Sequence, residues 1–152
     1  MSEIVRQIRQ GELMQLLELY KHLHDDDPDV SHDERLNQVW WEITTDPNLY
    51  YLVIEVDGML VSSCVLAIIK NLTRNLRPYG LIEHVVTHSD YRNRGLGTQV
   101  VQRAVAIATE NNCYKVMLLT GSKKDGTLRF YEQAGFKRGI KTGFIVNLSD
   151  PA

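Results

Sequence analysis

The chain has 152 residues, of which 43% are hydrophobic and 24% charged, a composition typical of one soluble globular domain spanning residues 1–152. Its formal net charge of -2 excludes an overall positive field that would recruit nucleic acid or an anionic membrane. No apolar run approaches the roughly 20 residues of a membrane span, and the N-terminus lacks a signal-peptide pattern, so we expect a cytoplasmic protein.

The first third of the chain is predicted to contain one strand and two helices. Glu3 to Ile8 is predicted as a strand, and Glu12 to His24 as an amphipathic helix because its leucines recur at helical spacing. An acidic loop, Asp25 to Asp29, follows. A second helix is predicted to begin at Ser31, since Ser31 and Glu34 have capping-box spacing. The residues expected on its buried face are Leu36, Val39, Trp40 and Ile43, with Trp41 directed elsewhere.

The middle of the chain is predicted to form a hairpin and a third strand of the sheet. Two apolar runs, Tyr50 to Val56 and Met59 to Ile69, flank the Asp57-Gly58 pair, which favours a tight turn with positive φ. Asn71 to Gly80 is polar and is predicted as a loop. Leu81 to Thr87 is predicted as the next strand.

The last third is predicted to alternate helices and strands. A third helix begins in the turn after Tyr91, and Tyr114 to Thr120 is predicted as a strand buried on both faces. Thr127 to Ala134 is predicted as a helix that stops at Gly135, with a final strand around Phe144 to Leu148. This order of elements predicts an α/β domain with a mixed sheet.

Cys64 and Cys113 lie in apolar, strand-like contexts. We expect both to be reduced thiols rather than a disulfide. A catalytic cysteine is disfavoured because no activating base lies nearby in the sequence.

The segment from Leu81 to Thr98 runs from a strand through a glycine turn into a helix and predicts an anion site. A helix N-terminus presents unpaired amides, and Gly95 and Gly97 allow backbone to approach a phosphate closely. The turn is not a P-loop, and it does not match the dinucleotide fingerprint, whose third glycine would fall at Val100. The alternative is a plain strand-to-helix turn with solvated arginines.

Two motifs in this half of the chain resemble those of the GNAT N-acetyltransferases. Arg92 to Gly97 fits Q/R-x-x-G-x-G/A, and Arg129 to Phe136 is similar to F-Y-E-x-x-G-F. The resemblance covers Leu81 to Phe136, and this cofactor half is similar to glucosamine-6-phosphate N-acetyltransferases and small bacterial members. It implies the GNAT acyl-CoA N-acyltransferase fold, a mixed central sheet flanked by helices, with acetyl-CoA as co-substrate and no metal.

The resemblance also implies a set of cofactor-binding residues. The strand before the turn would splay from its neighbour and pair with the pantetheine arm, as a peptide adds to a sheet edge. A backbone N–H near its end would polarise the thioester carbonyl. The residues implied are Val85, Val86, Thr87, Arg92, Asn93, Arg94, Gly95, Leu96, Gly97, Thr98, Thr127 and Tyr131.

Two catalytic residues follow from the resemblance. Tyr131 matches the tyrosine that protonates the departing thiolate, although it could instead pack with its aromatic neighbours. Glu83 matches a glutamate that takes the acceptor's proton, often through water, although it could be a structural carboxylate. Thr127 replaces a common asparagine and could contact the cofactor or cap its helix.

Four histidines lie near the predicted acceptor and cofactor segments. His22 and His24 do not share a helix face, so a joint metal site is not expected there. His84 and His88 flank the cofactor strand and could assist proton transfer or be structural. The acidic loop borders the acceptor site in the family, where its charge would favour a cationic amine, or it is simply solvated.

The resulting hypothesis is an acetyltransferase in which the primary amine of a small molecule attacks acetyl-CoA directly. The alternatives are a protein lysine or N-terminal acetyltransferase and a non-catalytic CoA-binding regulatory module. Family analogy also suggests a homodimer with the late strands at the interface.

Overall fold

A five-stranded sheet organises the first of the two units into which the chain divides, residues 1–118 and 119–152. The computed structural model describes residues 3–23 and 29–148. The four strands nearest the N-terminus pair antiparallel and the last pair is parallel, so the predicted mixed sheet is confirmed. In chain order and in spatial order the strands are β1 (Val5–Gln7), β2 (Leu49–Val56), β3 (Met59–Ile69), β4 (Tyr79–Thr87) and β5 (Val116–Leu118).

Apart from one helical turn inside the predicted loop Asn71 to Gly80, the helices follow the predicted order. In the first unit they are α1 (Leu13–Tyr20), α2 (Glu34–Thr44), the single turn α3 (Thr73–Leu76) and α4 (Leu96–Glu110), and in the second unit α5 (Asp125–Gln133). α4 connects β4 to β5, which is the long crossover that a parallel strand pair requires. The predicted C-terminal end of α1 at His24 and most of the acidic loop, residues 25–28, lie outside the described residues.

The Asp57-Gly58 turn forms as predicted. Both residues have positive φ, 50° and 80°, and the flanking residues Val56 and Met59 pair across the hairpin. The turn therefore sets the register of β2 against β3.

The predicted start of α2 is wrong by two residues. Asp33 is the N-cap, and its carboxylate accepts a hydrogen bond from the Leu36 amide at 3.1 Å. Ser31 stands too far before the helix to bond its first-turn amides. Asp and Ser are comparably good caps, so spacing alone did not decide between them.

The core lies between the helices and the sheet. Val100, Val101 and Ala104 of α4 have no exposed surface, and Leu16 and Leu19 of α1 are almost fully buried. These side chains recur every three or four residues, so one stripe of each helix is covered.

On α2 the two tryptophans divide as expected. Trp40 is 4% exposed, and its indole N–H donates to the Gln10 carbonyl at 2.8 Å, whereas Trp41 is 57% exposed. Val39 is 42% exposed, so its predicted burial is wrong: the buried stripe is narrower than the apolar pattern suggested.

Two predicted strands differ from the structure. β5 comprises only Val116–Leu118 and is half-buried, so the prediction of a strand over Tyr114 to Thr120 buried on both faces is wrong. Phe144 to Leu148 forms no strand among the described residues, and Phe144 is 90% exposed. An extended segment without a neighbouring strand cannot pair its backbone groups, whatever its β-propensity.

The described residues also bear on two other classes of site. No helix within residues 3–23 and 29–148 is long and apolar enough to cross a bilayer. Over the same ranges, no group of three or more His, Cys, Asp or Glu side chains is arranged to hold a metal ion.

Candidate active site

A β-bulge interrupts β4 shortly before the glycine turn. Val65 pairs with Glu83 and Ser63 pairs with Val86, so two residues of β4 lie opposite one residue of β3. The first of these two, His84, has a φ of 53°, a left-handed conformation that is uncommon outside glycine. Because such a bulge re-aims the backbone groups that follow it, β4 changes direction at the position predicted to meet the thioester.

Beyond the bulge, β4 pairs with β3 alone within the described residues of the first unit. The pairing of β4 with β5 runs from Gly80 opposite Val116 to Ile82 opposite Leu118 and stops there. Within the described part of the first unit, Glu83, Val86 and Thr87 therefore pair with β3, and no residue of 83–87 pairs with β5. On the side away from β3, the backbone groups that β5 leaves unpaired can pair with an extended ligand, which is the expected use of Val85, Val86 and Thr87. Two carbonyls here already accept a side-chain hydrogen bond, that of Thr87 from Arg92 and that of Val86 from Ser62.

The glycine turn presents open amides at the start of α4. Gly95 is the N-cap residue with a φ of 78°, and it supplies no side chain to bond the first-turn amides. At α2, in contrast, Asp33 occupies one such amide. The amides of Leu96, Gly97 and Thr98 thus belong to the orphan donors of a helix N-terminus, where the helix dipole favours an anion.

The side chains of the two arginines in the turn donate hydrogen bonds to backbone carbonyls in and near the turn. Arg92 donates from Nε to the Thr87 carbonyl at 3.2 Å and from Nη2 to the His22 carbonyl at 3.4 Å. Arg94 donates to the Asp90 carbonyl at 3.4 Å, and its guanidinium lies 4.9 Å from the Tyr91 ring centroid. A guanidinium has five N–H donors, so each arginine keeps donors for a phosphate. Both side chains are exposed.

Two histidine rings in contact connect the residues just after α1 to the same turn. The rings of His22 and His88 lie 4.1 Å apart between centroids, at 35°. Nδ1 of His22 accepts from the Ser89 amide at 3.4 Å, and Nδ1 of His88 accepts from the Asp90 amide at 3.1 Å. These contacts favour a structural role for His88.

Sequence reasoning missed the serines of β3. The Ser62 hydroxyl is fully buried, bonds the Val86 carbonyl at 3.2 Å and lies 2.9 Å from the Thr87 hydroxyl. The neighbouring Ser63 hydroxyl donates to the Leu52 carbonyl at 2.8 Å. Adjacent serines in an otherwise apolar strand were the available signal, because a buried hydroxyl requires a partner.

Glu83 and Cys64 lie in opposite environments. Glu83 is exposed, and its carboxylate forms no ion pair among the described residues. The Cys64 thiol is buried, and burial raises its pKa to about 12. Because only the thiolate is nucleophilic, Cys64 is unsuited to covalent catalysis at neutral pH. Cys113 is also a free thiol, so neither cysteine forms a disulfide.

In the second unit, Tyr131 and Thr127 both lie on α5. The Tyr131 ring is edge-on to Phe130, with centroids 4.9 Å apart, and to Phe136, at 6.4 Å. These neighbours restrict the orientation of the ring. The idea that Thr127 caps the helix is wrong, because Lys124 is the N-cap and the Thr127 hydroxyl accepts a hydrogen bond from Ser122 instead.

Comparisons with known proteins agree with this architecture. Residues 16–136 match the Acetyltransferase (GNAT) family model. Glucosamine 6-phosphate N-acetyltransferase 1 of Dictyostelium discoideum is 29% identical over 108 residues, which cover 69% of this chain and 64% of that protein. The aligned part of the chain thus spans slightly less than two thirds of the length of this curated relative.

Two solved structures have the same fold over nearly their whole length. A protein from Agrobacterium tumefaciens str. C58 superposes with a TM-score of 0.89 at 41% identity, covering 95% of this chain and 99% of that one. Glucosamine-6-phosphate N-acetyltransferase from Arabidopsis thaliana superposes with a TM-score of 0.84 at 25% identity, covering 99% and 100%. The family match over residues 16–136 agrees with the motif in the glycine turn and with the mixed sheet. The chain therefore belongs to the GNAT acetyltransferase family.

Proposed function

We propose that this protein is an acetyl-CoA-dependent N-acetyltransferase that acetylates the primary amine of a small molecule. The observation that carries the proposal is the uncapped N-terminus of α4, where Gly95 leaves first-turn amides open directly after the unpaired edge of β4. An open amide cradle and a free strand edge fit a ligand with a diphosphate at one end and an extended amide-containing arm.

In this proposal the turn and the strand hold the co-substrate. Amides from Asn93 to Thr98 bind the diphosphate, with Arg92 and Arg94 adding positive charge. The edge from Val85 to Thr87 binds the pantetheine arm. Acetyl-CoA supplies an activated acyl group, since its thioester breaks when the amine nitrogen bonds to the carbonyl carbon. A backbone N–H after the bulge stabilises the charge that develops on the carbonyl oxygen.

The proton transfers are assigned to two side chains. We assign Glu83, directly or through water, to take the proton that the amine must lose before attack, since its carboxylate is exposed and has no cationic partner among the described residues. We assign Tyr131 to donate its hydroxyl proton to the departing thiolate, on the strength of the Phe130-Tyr131-Glu132 motif. No covalent acyl-enzyme is required.

The acceptor class is proposed from the relatives. Both named enzymes above act, by their names, on glucosamine 6-phosphate, so an amino sugar is the first acceptor to test.

We further propose a cytoplasmic location, because both cysteines are unpaired thiols, as is usual in a reducing compartment. We also propose a homodimer, because the apolar residues near the end of the second unit, Phe144, Ile145, Val146 and Leu148, are at least 72% exposed.

The test combines binding with turnover. Calorimetry measures the affinity for CoA. Turnover is measured as thiol release from acetyl-CoA in the presence of glucosamine 6-phosphate, polyamines, amino acids, aminoglycosides and peptides. We expect CoA binding and turnover with at least one small amine. Binding without turnover on any amine would favour the regulatory module, and turnover on peptides alone would favour the protein acetyltransferase. Absence of CoA binding would refute the proposal.

A further inference from the structure

A patch of basic and aromatic side chains lies where β4 and β5 begin, at the end of β4 opposite to the glycine turn. Gly80 and Val116 pair in the parallel strands β4 and β5. Tyr79 and Lys115 directly precede these two residues, so both lie at the same end of the strand pair. The glycine turn follows the other end of β4, about 25 Å away along a nine-residue strand. The patch, called here the α3 patch, comprises Leu72, Arg74, Leu76, Tyr79, Tyr114 and Lys115.

Two cations of the α3 patch are held over tyrosine rings. Lys115 Nζ lies 5.3 Å from the Tyr79 centroid and 5.2 Å from the Tyr114 centroid. The Arg74 guanidinium lies 5.3 Å from the Tyr114 centroid. Neither cation forms an ion pair within the described residues. The rings therefore fix two positive charges in place without neutralising them.

The nearby Arg77 shows what a structural arginine does here. It donates to the Asn112 carbonyl at 3.1 Å and to the Cys113 carbonyl at 3.0 Å, just after the end of α4. This guanidinium is used by the fold, because it satisfies free carbonyls after a helix terminus. Among residues 3–23 and 29–148, the side chains of Arg74 and Lys115 have no such backbone acceptor, so their charge is available to a ligand.

Two exposed leucines, Leu72 just before α3 and Leu76 at its end, flank Arg74 in the sequence. Arg74, Asn75 and Leu76 have φ values of 55°, 61° and 66°, a left-handed turn that L residues avoid. The Asn71 amide group holds the turn by donating to the Thr73 carbonyl at 3.0 Å and the Arg77 carbonyl at 3.1 Å. Leu72 is 85% exposed and Leu76 is 68% exposed.

We propose that the α3 patch is a docking surface for an acidic segment of a partner protein that also carries apolar side chains. Carboxylates would meet Arg74 and Lys115, and apolar side chains would cover Leu72 and Leu76. A second copy of this chain is disfavoured, since a twofold contact through the patch would place like charges together. Single-stranded nucleic acid is disfavoured because cations already occupy the tyrosine faces on which bases would stack.

The test uses the full chain and a labelled 12-residue peptide of four Glu-Glu-Leu repeats, followed by fluorescence anisotropy at physiological salt. We expect binding that weakens about tenfold or more when Arg74→Glu and Lys115→Glu are combined, because two attractions become repulsions. Combining Leu72→Ser with Leu76→Ser should also weaken it. If charge reversal impairs folding, the combination of Arg74→Gln with Lys115→Gln replaces it in the test. Circular dichroism checks that each variant is folded.

Matched controls separate the patch from net charge. Combining Arg35→Glu with Lys137→Glu makes the same change in charge at exposed positions outside the patch and should change the affinity less than twofold. CoA affinity should be the same in all variants. The proposal is overturned if the peptide fails to bind, if the control pair weakens it equally, or if anionic vesicles or an oligonucleotide bind through Arg74 and Lys115 and the peptide does not.

Discussion

The hydroxyl of Tyr131 is the single group on which the acid step of the proposed reaction depends. We expect Tyr131→Phe to lower kcat by roughly 10²–10⁴-fold, because the thiolate would leave without a positioned proton donor. The ring contacts to Phe130 and Phe136 are kept in this variant, so it should still fold and bind CoA, and the loss should be far larger in kcat than in CoA affinity. Single-turnover thiol release measures the first effect and calorimetry the second.

Tyr50→Phe, in β2, is the matched control and should leave kcat unchanged. A Tyr131→Phe enzyme with full turnover on every accepted amine would remove Tyr131 from the mechanism and leave it a packing residue.

An acid-stability prediction comes from Glu12, which joins the first strand to the first helix. Its carboxylate accepts two hydrogen bonds from the Arg6 guanidinium, at 2.9 and 2.8 Å, and a third from the Arg9 amide at 2.8 Å. The Arg6 hydrogen bond is the main reason that the pKa of Glu12 falls from its ordinary 4.5 to about 2. Unfolding therefore takes up a proton in this interval, and the contribution of Glu12 to stability is present above pH 4.5 and lost as the pH falls towards 2.

We expect Glu12→Gln to lower the free energy of unfolding near pH 7 by about 1–3 kcal/mol, because Arg6 loses its bidentate partner. The same variant should show a flatter decline of stability between pH 5 and pH 2. Glu18→Gln is the control, since Glu18 is 73% exposed and its ion pair is with the similarly accessible Lys21, which is 63% exposed. Urea unfolding at several pH values measures both, and equal slopes for wild type and Glu12→Gln would contradict the assignment.

At the scale of the element, the bulge in β4 is predicted to act through its backbone. His84 adopts a φ of 53°, which glycine accepts freely and a β-branched residue strongly resists. We therefore expect His84→Gly to keep CoA binding and most of kcat, and His84→Val to lower both together with the melting temperature. If His84→Gly abolished turnover while CoA binding persisted, the imidazole itself would be needed for proton transfer.

The start of α4 provides a second test at this scale. A Cβ added to Gly95 would meet no protein atom within 4 Å, so the effect of Gly95→Ala on stability arises from its φ of 78°. We expect a loss of about 1 kcal/mol in stability and a clear loss of CoA affinity as the turn moves. Gly11→Ala is the control, because it also meets no atom within 4 Å and has no positive φ. Equal CoA affinity in both variants would argue against the amide cradle.

For the whole molecule, the exposed apolar residues near the end of the second unit predict self-association. Phe144 is 90% exposed and Val146 is 81% exposed, and neither lies in a strand. We expect light scattering to give the mass of a dimer for the wild type and of a monomer for Phe144→Asp combined with Val146→Asp. Lys141→Asp, also exposed, is the control and should leave the mass unchanged. A monomeric wild type would contradict the proposed homodimer.

Local patterns in the sequence predicted those parts of the molecule that neighbours along the chain control. The Asp57-Gly58 turn, the helix after Tyr91 and the stop at Gly135 depend on φ preferences and helical spacing, which act over a few residues. The motif from Arg92 to Gly97 also acts locally, because its glycines and its helix N-terminus are adjacent in the chain.

The tertiary structure alone decided the features that join distant segments. The bulge at His84 depends on the register between β3 and β4, and the buried hydroxyl of Ser62 depends on Val86, 24 residues away. Contacts between distant segments also decide where the β4–β5 pairing ends, that cations lie over Tyr79 and Tyr114, and that Phe144 is not in a strand. Strand pairing and burial depend on which segments meet in space, and no local preference of the chain encodes that meeting.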